Sequence, residues 1–300
     1  MRVGVVRNPK SYRNRRDMPW VTAPDNVLFA KPKTKAALTE ALTSFAEAGV
    51  DRLVLDGGDG TVRDVLTRLP ATFGARIPLL AVTPSGKTNV LAEDLGVAPD
   101  WSVEAAVGRI LDPAAPRQVR PCIDVVREDG SLRRGFVFGT GAYVRATRLA
   151  QSAHRMGAFG TASVALTLAM SVVQSIAGRD DRGWRAGEVM QLARGGKAEA
   201  RARFLVIAST LERLPLGLKP FGAERPGLKS LTIDAPPRLL LAALGPLWRG
   251  TEPAWLARAG YVRGEGDFKI ALDGEFVLDG EAYPGGELTV SAGPALEFVT

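Results

Sequence analysis

Hydrophobic and polar positions in the first third of the chain alternate between strand and helix patterns. Strand patterns occupy residues 2–6, 52–55 and 77–82, and helix patterns occupy residues 35–48, 62–69 and 90–95. The clearest helix places Leu38, Leu42 and Phe45 on one face and ends at Gly49. Strands that alternate with helices predict a parallel sheet with helices over its faces.

After Pro121 the helix patterns become rare. Strand patterns occupy residues 135–138, 188–193, 201–209, 268–272 and 287–291, and several begin or end at Gly or Asp turns. We therefore predict an α/β protein with an N-terminal parallel-sheet domain at residues 1–116 and a mainly β domain at residues 117–300.

Two largely apolar segments lie in the predicted second domain. Residues 157–178 are nearly uncharged but contain several Ser and Thr, which favours a buried or membrane-grazing helix over a spanning one. Residues 238–249, RLLLAALGPLWR, carry an arginine at each end, a pattern typical of an interfacial element beside phospholipid headgroups. The alternative for both segments is a core helix.

Charge and cysteine content limit the partners, the types of site and the compartment that the sequence predicts. The 300 residues carry a formal net charge of +7, which favours phosphates, nucleic acid or an acidic membrane surface as partners. Cys122 is the only cysteine, which excludes an internal disulfide framework and a cysteine-rich zinc site. The N-terminus lacks a secretory signal pattern, so we predict a cytoplasmic protein.

A glycine turn, GGDGT at residues 57–61, joins a strand pattern to a helix pattern. Ligands of open α/β sheets bind at the carboxyl ends of strands, and consecutive amides at a helix start make a phosphate site. Thr61 and Asp64 have nearly the form of a capping box, which predicts the helix start. The alternative is a plain strand-to-helix turn in which Asp59 is a solvated residue.

A second Gly-containing loop, TPSGKTN at residues 83–89, also lies between a strand and a helix pattern. It contains the GKT of a Walker phosphate loop, but Ala81 stands where that motif needs its first glycine. Lys87 is a candidate for placing positive charge over phosphates, and Asn89 or Thr88 for capping the helix. The alternative is a solvated lysine and a capping Asn89.

The sequence Asp-Gly-Glu occurs twice near the C-terminus, at residues 273–275 and 279–281. Asp-Gly is a common signal for a short hairpin turn, and we predict such a turn for the first copy. A carboxylate held on a rigid turn is also suited to act as a general base toward a hydroxyl group.

Taken together, GGDGT at 57–61, the loop at 86–90, NPKS at 8–11 and the C-terminal DGE resemble the catalytic domain family of diacylglycerol kinases, which includes sphingosine and ceramide kinases. These motifs cover nearly the whole chain in the family's order, and they look most like the small bacterial lipid kinases. The resemblance implies a nucleotide-binding domain, a β-sandwich lipid-substrate domain, and transfer of the ATP γ-phosphate to a lipid hydroxyl in the cleft between them.

The resemblance also implies roles for individual residues. Asp59 and Glu281 would be catalytic, with Glu281 as the proton acceptor. The nucleotide would be bound by Asn8, Gly57, Gly58, Asp59, Gly60, Thr61, Ser85, Gly86, Lys87 and Asn89. Among these, the GGDGT residues at 57–61 would hold its phosphates and Mg²⁺. On the substrate side, Asp279 and Asp124 are candidates, although Asp124 is equally interpreted as an edge-of-strand carboxylate.

The chain departs from the family pattern in the second glycine loop and at Pro226. Where the family often has Gly-Thr-Gly-Asn-Asp, this chain has GKTNV, so Lys87 replaces a threonine and Val90 replaces a carboxylate. Pro226 stands where bacterial relatives have the Asp of a structural magnesium site, so we do not predict that site.

Two other functions stay open. A soluble-substrate kinase of the NAD kinase-like class also carries a GGDG turn, and the altered GKTNV loop suits a catalytically idle lipid-binding protein. The terminal DGE and the two apolar segments favour the lipid kinase, working in the cytoplasm in peripheral contact with a membrane and its anionic phospholipid headgroups. Nucleic acid is disfavoured because the basic residues lack an interleaved aromatic platform, and no pattern indicates an obligate protein partner.

Overall fold

The computed structural model describes residues 1–16, 24–155, 185–222 and 225–300. Packing divides the chain into two compact units, Met1–Cys122 with Pro294–Thr300, and Ile123–Gly293. The apolar segment at 157–178 lies outside the described residues. Within the described ranges, no helix has both the length and the apolar character to cross a membrane.

The elements alternate in type along the first unit and are mostly strands afterwards. The strands are β1 (Val3–Arg7), β2 (Val27–Ala30), β3 (Arg52–Gly57), β4 (Leu79–Pro84), β5 (Arg117–Arg127), β6 (Leu132–Gly135), β7 (Val137–Gly141), β8 (Glu188–Arg194), β9 (Lys197–Ser209), β10 (Lys229–Asp234), β11 (Tyr261–Glu265), β12 (Phe268–Leu278) and β13 (Glu281–Val299). The helices are α1 (Lys35–Glu47), α2 (Asp59–Phe73), α3 (Val90–Asp94), α4 (Val103–Leu111), α5 (Ala142–Arg155), α6 (Leu240–Arg249) and α7 (Ala254–Arg258). The predicted mixed α/β class is confirmed.

In the first unit, β1 pairs in parallel with both β2 and β3, and β3 pairs in parallel with β4. The C-terminal end of β13 adds a further parallel contact, between Phe298 and Leu80 of β4. Leu53, Val54 and Leu55 of β3 have no exposed surface, as expected for a parallel strand covered on both faces. This order brings the carboxyl ends of β1, β3 and β4 to one edge of the sheet.

Helix α1 matches its prediction, since Leu38, Leu42 and Phe45 are its buried residues. The predicted start of α2 is wrong. The helix begins at Asp59 rather than Val62, because the carbonyl of Gly58 already accepts from the amides of Thr61 and Val62 at 2.8 and 3.2 Å. No side chain caps α2, so the predicted capping box does not form.

The second unit is built from antiparallel strands. Strand β9 pairs with β7, β8 and β10, whereas β12 pairs with β7, β8 and β13. A core of buried side chains includes Phe138, Phe268 and Phe276, with Phe138 stacked on Phe276 at 5.6 Å between ring centroids. The mainly β character of this part is therefore observed, while its sandwich-like arrangement stays a prediction.

Candidate active site

The two glycine loops touch each other where β3 and β4 end. A Cβ atom on Gly58 would lie 2.8 Å from Gly86 Cα, and a Cβ atom on Gly86 would lie 2.5 Å from Gly58 Cα. Both distances are far inside normal carbon–carbon contact, which is about 3.5–4.0 Å. Glycine is therefore required at both positions for the two backbones to approach this closely.

Asp59 ties the first loop to the second. Its carboxylate accepts from the Thr88 hydroxyl at 3.2 Å and from the amides of Val90 and Leu91 at 3.0 and 3.2 Å. These are the first amides of α3, so the cap of that helix comes from the other loop. The predicted caps, Asn89 and Thr88, are wrong in this respect, because Asn89 makes no side-chain cap bond to the helix.

Asn89 instead closes the second loop on itself. Its backbone is left-handed, with φ 51° and ψ 48°, a conformation that asparagine tolerates better than most residues. The Asn89 side chain accepts from the Gly86 amide at 2.7 Å and donates to the carbonyls of Pro84 and Gly86 at 3.2 and 3.1 Å. The loop geometry at Gly86 therefore depends on Asn89.

Asn8, at the end of β1, is brought to the first glycine loop. Its side chain donates to the Thr61 hydroxyl at 2.8 Å and accepts from the Lys10 amide at 2.9 Å. Its own amide donates to the Asp56 carbonyl at 2.9 Å. The structure thus groups Asn8 with the GGDGT residues, as the order of parallel strands requires.

Asp56, at the end of β3, is a site residue that the sequence analysis missed. Its side chain is 1% exposed, and its Oδ1 accepts from the hydroxyls of Thr83 and Ser85 at 2.7 and 2.5 Å. Its Oδ2 lies 3.4 Å from Arg7 Nε. A carboxylate directly after the apolar run Leu53–Leu55 was the available signal, because a buried charge requires partners.

We expect Ser85→Ala to lower the free energy of unfolding by about 1.5–3 kcal/mol, because it removes a donor from the buried Asp56 carboxylate. The same change at Ser44, an exposed position of α1, should have little effect. Urea unfolding of the two variants measures the difference. Equal midpoints would show that the hydroxyl–carboxylate contact does not hold the end of β4.

Basic residues surround this edge of the sheet. Lys10, Arg13 and Lys87 are exposed, and the Arg13 amide donates to the Ser85 carbonyl at 3.2 Å, which holds the basic loop after β1 against the second glycine loop. The Lys10 ammonium donates to the Lys33 carbonyl at 3.3 Å. The resulting positive potential favours an anionic ligand.

The edge suits phosphate better than it suits a metal held by protein alone. The first amides of a helix have no acceptor within the helix, so the start of α2 offers donors to an anion. In the described parts of the chain, no group of three or more His, Cys, Asp and Glu side chains could hold a metal ion. Asp59 already uses three acceptor positions of about four in a carboxylate, which leaves room for about one further bond.

The second Asp-Gly-Glu forms the hairpin turn between β12 and β13. Asp279 and Gly280 both have positive φ, 44° and 77°, and Leu278 pairs with Glu281, which matches a two-residue type I′ turn. The Asp279 carboxylate accepts from the amides of Phe136 and Val137 at 3.0 and 2.9 Å. Glu281 is thus the half-buried first residue of β13, on a turn clamped to the start of β7.

The first Asp-Gly-Glu is not a hairpin turn, and its prediction is wrong. Residues 273–275 lie within β12, where the register with β13 shifts between Leu272 and Glu275. An extra residue in an antiparallel pair produces such a bulge without ending the strand. Glu275 forms an ion pair with Arg148 of α5.

Asp124, the other candidate on the substrate side, is paired across the β5–β6 ladder. Its carboxylate accepts from Arg134 Nε and Nη2 at 2.9 and 3.3 Å. The substrate roles of Asp124 and Asp279 stay predictions.

Comparison with known proteins agrees with the motifs at this site. Residues 3–119 match the model of the diacylglycerol kinase catalytic domain. No curated protein matches the chain significantly. That domain match includes both glycine loops, Asn8 and Asp56.

The fold is also similar to solved structures from Bacillus anthracis str. Sterne. The crystal structure of a diacylglycerol kinase from that strain is 15% identical, has a TM-score of 0.64, and is matched over 99% of this chain and 96% of its own. Two further structures from the strain carry a provisional diacylglycerol kinase name. They are 17% and 16% identical, both with a TM-score of 0.66, and are matched over 99% of this chain and 94% and 96% of their own.

The similarity of fold to these solved structures covers nearly the whole chain, including residues outside the match to the domain model. The two glycine loops and the parallel strands that carry them lie inside the matched segment. Residues 3–119 are similar to the diacylglycerol kinase catalytic domain, and the chain is a kinase.

Proposed function

We propose that this kinase transfers the γ-phosphate of ATP to a primary hydroxyl of a membrane lipid of the diacylglycerol or ceramide and sphingoid type. The observation that carries the proposal is the contact between Gly58 and Gly86, at the carboxyl ends of adjacent parallel strands. A backbone surface free of side chains, next to helix amides, accepts phosphates closely.

ATP binds to this surface through its phosphates. Gly57, Gly58 and Gly60 keep the backbone accessible, while Asn8 and Thr61 hold the start of α2 in place. Lys87 adds positive charge in the position where the family often has threonine. Phosphoryl transfer needs positioning and charge neutralisation more than covalent help, which is what these groups supply.

Mg²⁺ fits the site as an ion bound mainly through the phosphates. This ion commonly takes one or two protein carboxylates, substrate phosphates and several waters. Asp59 would supply the protein oxygen, within the room that its contacts to Thr88, Val90 and Leu91 leave. When bound, the metal neutralises charge on the phosphates.

Glu281 accepts the proton of the attacking lipid hydroxyl. A general base must be held in a fixed place, and the type I′ turn clamped by Asp279 supplies this support. Asp279 therefore acts on the substrate side by positioning Glu281, and the Asp124–Arg134 pair is a candidate contact for the lipid headgroup.

The test is ATP consumption with Mg²⁺ against a micellar panel of diacylglycerol, ceramide, sphingosine and NAD, run beside Asp59→Ala. We expect lipid-dependent turnover that Asp59→Ala reduces by about 10²-fold or more, because the variant frees the second loop from the first. Removal of Mg²⁺ with a chelator should have a comparable effect.

Other outcomes would contradict the proposal. Turnover with NAD alone would identify a kinase for a soluble substrate. Lipid binding without any turnover would identify a lipid-binding protein that has lost catalysis.

A further inference from the structure

Helix α6 of the second unit is apolar on two neighbouring faces. One face is covered by the protein, since Ala243 is fully buried and Leu240 and Leu247 pack against a core that includes Phe204 and Tyr261. This face explains why the segment folds as a helix on the unit. The second apolar face of the helix does not pack against this core.

The second face points to solvent. Leu241, Leu244 and Trp248 are 61%, 38% and 53% exposed, and their spacing places them on one side of the helix. Leu239, the residue before the helix, is 62% exposed. Scattered exposed apolar residues are normal, but a continuous group of large ones marks an interaction site.

The segment that carries this face is positively charged. Arg238 and Arg249 stand at the two ends of the helix and are exposed, and residues 235–250 contain no acidic residue. The nearest acidic residue along the chain after the helix, Glu252, is paired with Arg225 and Arg263. The face therefore combines apolar side chains with unopposed positive charge along its own segment.

The helix is held firmly in this orientation. The Tyr261 hydroxyl donates to the Arg238 carbonyl at 2.9 Å, and burial raises the pKa of Tyr261 to about 12, so this donor stays protonated at physiological pH. After the helix, Arg263 donates to the Thr251 carbonyl at 2.8 Å. Leu239 has a left-handed backbone, with φ 52°, a strained conformation for leucine.

We propose that α6 is a docking surface for membranes that contain anionic phospholipid. Leu241, Leu244 and Trp248 enter the boundary between headgroups and acyl chains, and Arg238 and Arg249 bind headgroup phosphates. A second copy of the chain fits less well, because residues 235–250 hold no carboxylate to neutralise the arginines of a facing helix. This proposal rests on the proposed lipid kinase function, because it names the membrane to which that kinase binds. Its test measures vesicle binding and not turnover, so failure of one proposal can be distinguished from failure of the other.

The test is flotation of the full chain with vesicles of phosphatidylcholine alone or mixed with phosphatidylglycerol. We expect binding to the mixed vesicles that Leu241→Ser with Trp248→Ser weakens by about tenfold or more. Arg238→Gln with Arg249→Gln should weaken it by about fivefold or more and reduce its salt dependence. The matched control is Val189→Ser with Val262→Ser, since these valines are also exposed apolar residues of the second unit but lie on strands.

Two results would overturn the proposal. One is equal vesicle binding by wild type and by the α6 variants. The other is a wild-type protein that does not bind vesicles but self-associates in sedimentation velocity. If Leu241→Ser with Trp248→Ser abolished that self-association, the face would be an interface between copies of the chain. Because every variant changes exposed side chains, circular dichroism should match wild type throughout. Turnover in micelles that survives in the α6 variants would leave the kinase proposal intact.

Discussion

Replacing Gly86 with alanine is expected to lower ATP-dependent turnover by about 10²-fold and the free energy of unfolding by about 1–3 kcal/mol. The new Cβ atom would lie 2.5 Å from Gly58 Cα and 2.7 Å from Asn89 Oδ1. Neither neighbour can move cheaply, because one is backbone and the other closes the loop through the Gly86 amide. The two loops must separate, and the surface proposed for the ATP phosphates changes shape.

Steady-state kinetics and urea unfolding measure both effects. The matched control is Gly108→Ala, which places the same methyl group on an exposed position of α4 with no atom within 4 Å. This control should keep full turnover and gain about 0.5–1 kcal/mol, since alanine favours a helix over glycine. A Gly86→Ala protein with normal turnover would mean that the contact between the loops does not shape the ATP site.

Glu281→Gln is expected to reduce turnover by about 10²–10⁴-fold while leaving a folded protein. The change removes the group that accepts the proton of the lipid hydroxyl but keeps the shape of the side chain. Because residual catalysis by positioning and charge neutralisation remains, measurable activity should persist.

The chain provides its own control for Glu281. Glu275 is the glutamate of the first Asp-Gly-Glu and lies beyond the bulge of β12, where its side chain is 38% exposed and forms an ion pair with Arg148. Glu275→Gln should change turnover by less than a few-fold, as expected for an exposed surface pair worth about 0–1 kcal/mol. Similar losses in both variants would remove Glu281 from the role of proton acceptor.

The first unit could be predicted well because its signals are local. A short continuous apolar run such as Leu53–Leu55 is typical of a buried strand. The spacing of Leu38, Leu42 and Phe45 defines one face of a helix. The glycine motifs were visible for the same reason, since each lies directly after an apolar run. Strand β2 was missed because its pattern is short. Helix α4 was missed although Val103, Ala106, Val107 and Ile110 form its buried face.

The sequence by itself determined the mixed α/β class and the glycine turns at the ends of strands. It did not decide which Asp-Gly forms a hairpin turn, since the turn predicted at 273–275 lies within β12 and the observed turn precedes Glu281. Tertiary structure alone decided that Asp59 caps α3 by binding amides that lie 31 and 32 residues later in the chain. It also decided that Asp279 binds two amides that lie 142 and 143 residues earlier in the chain. It also decided which apolar side chains of α6 face the core. The physical reason is that such contacts depend on which distant strands and helices become neighbours, and no local spacing of polar and apolar residues records that choice.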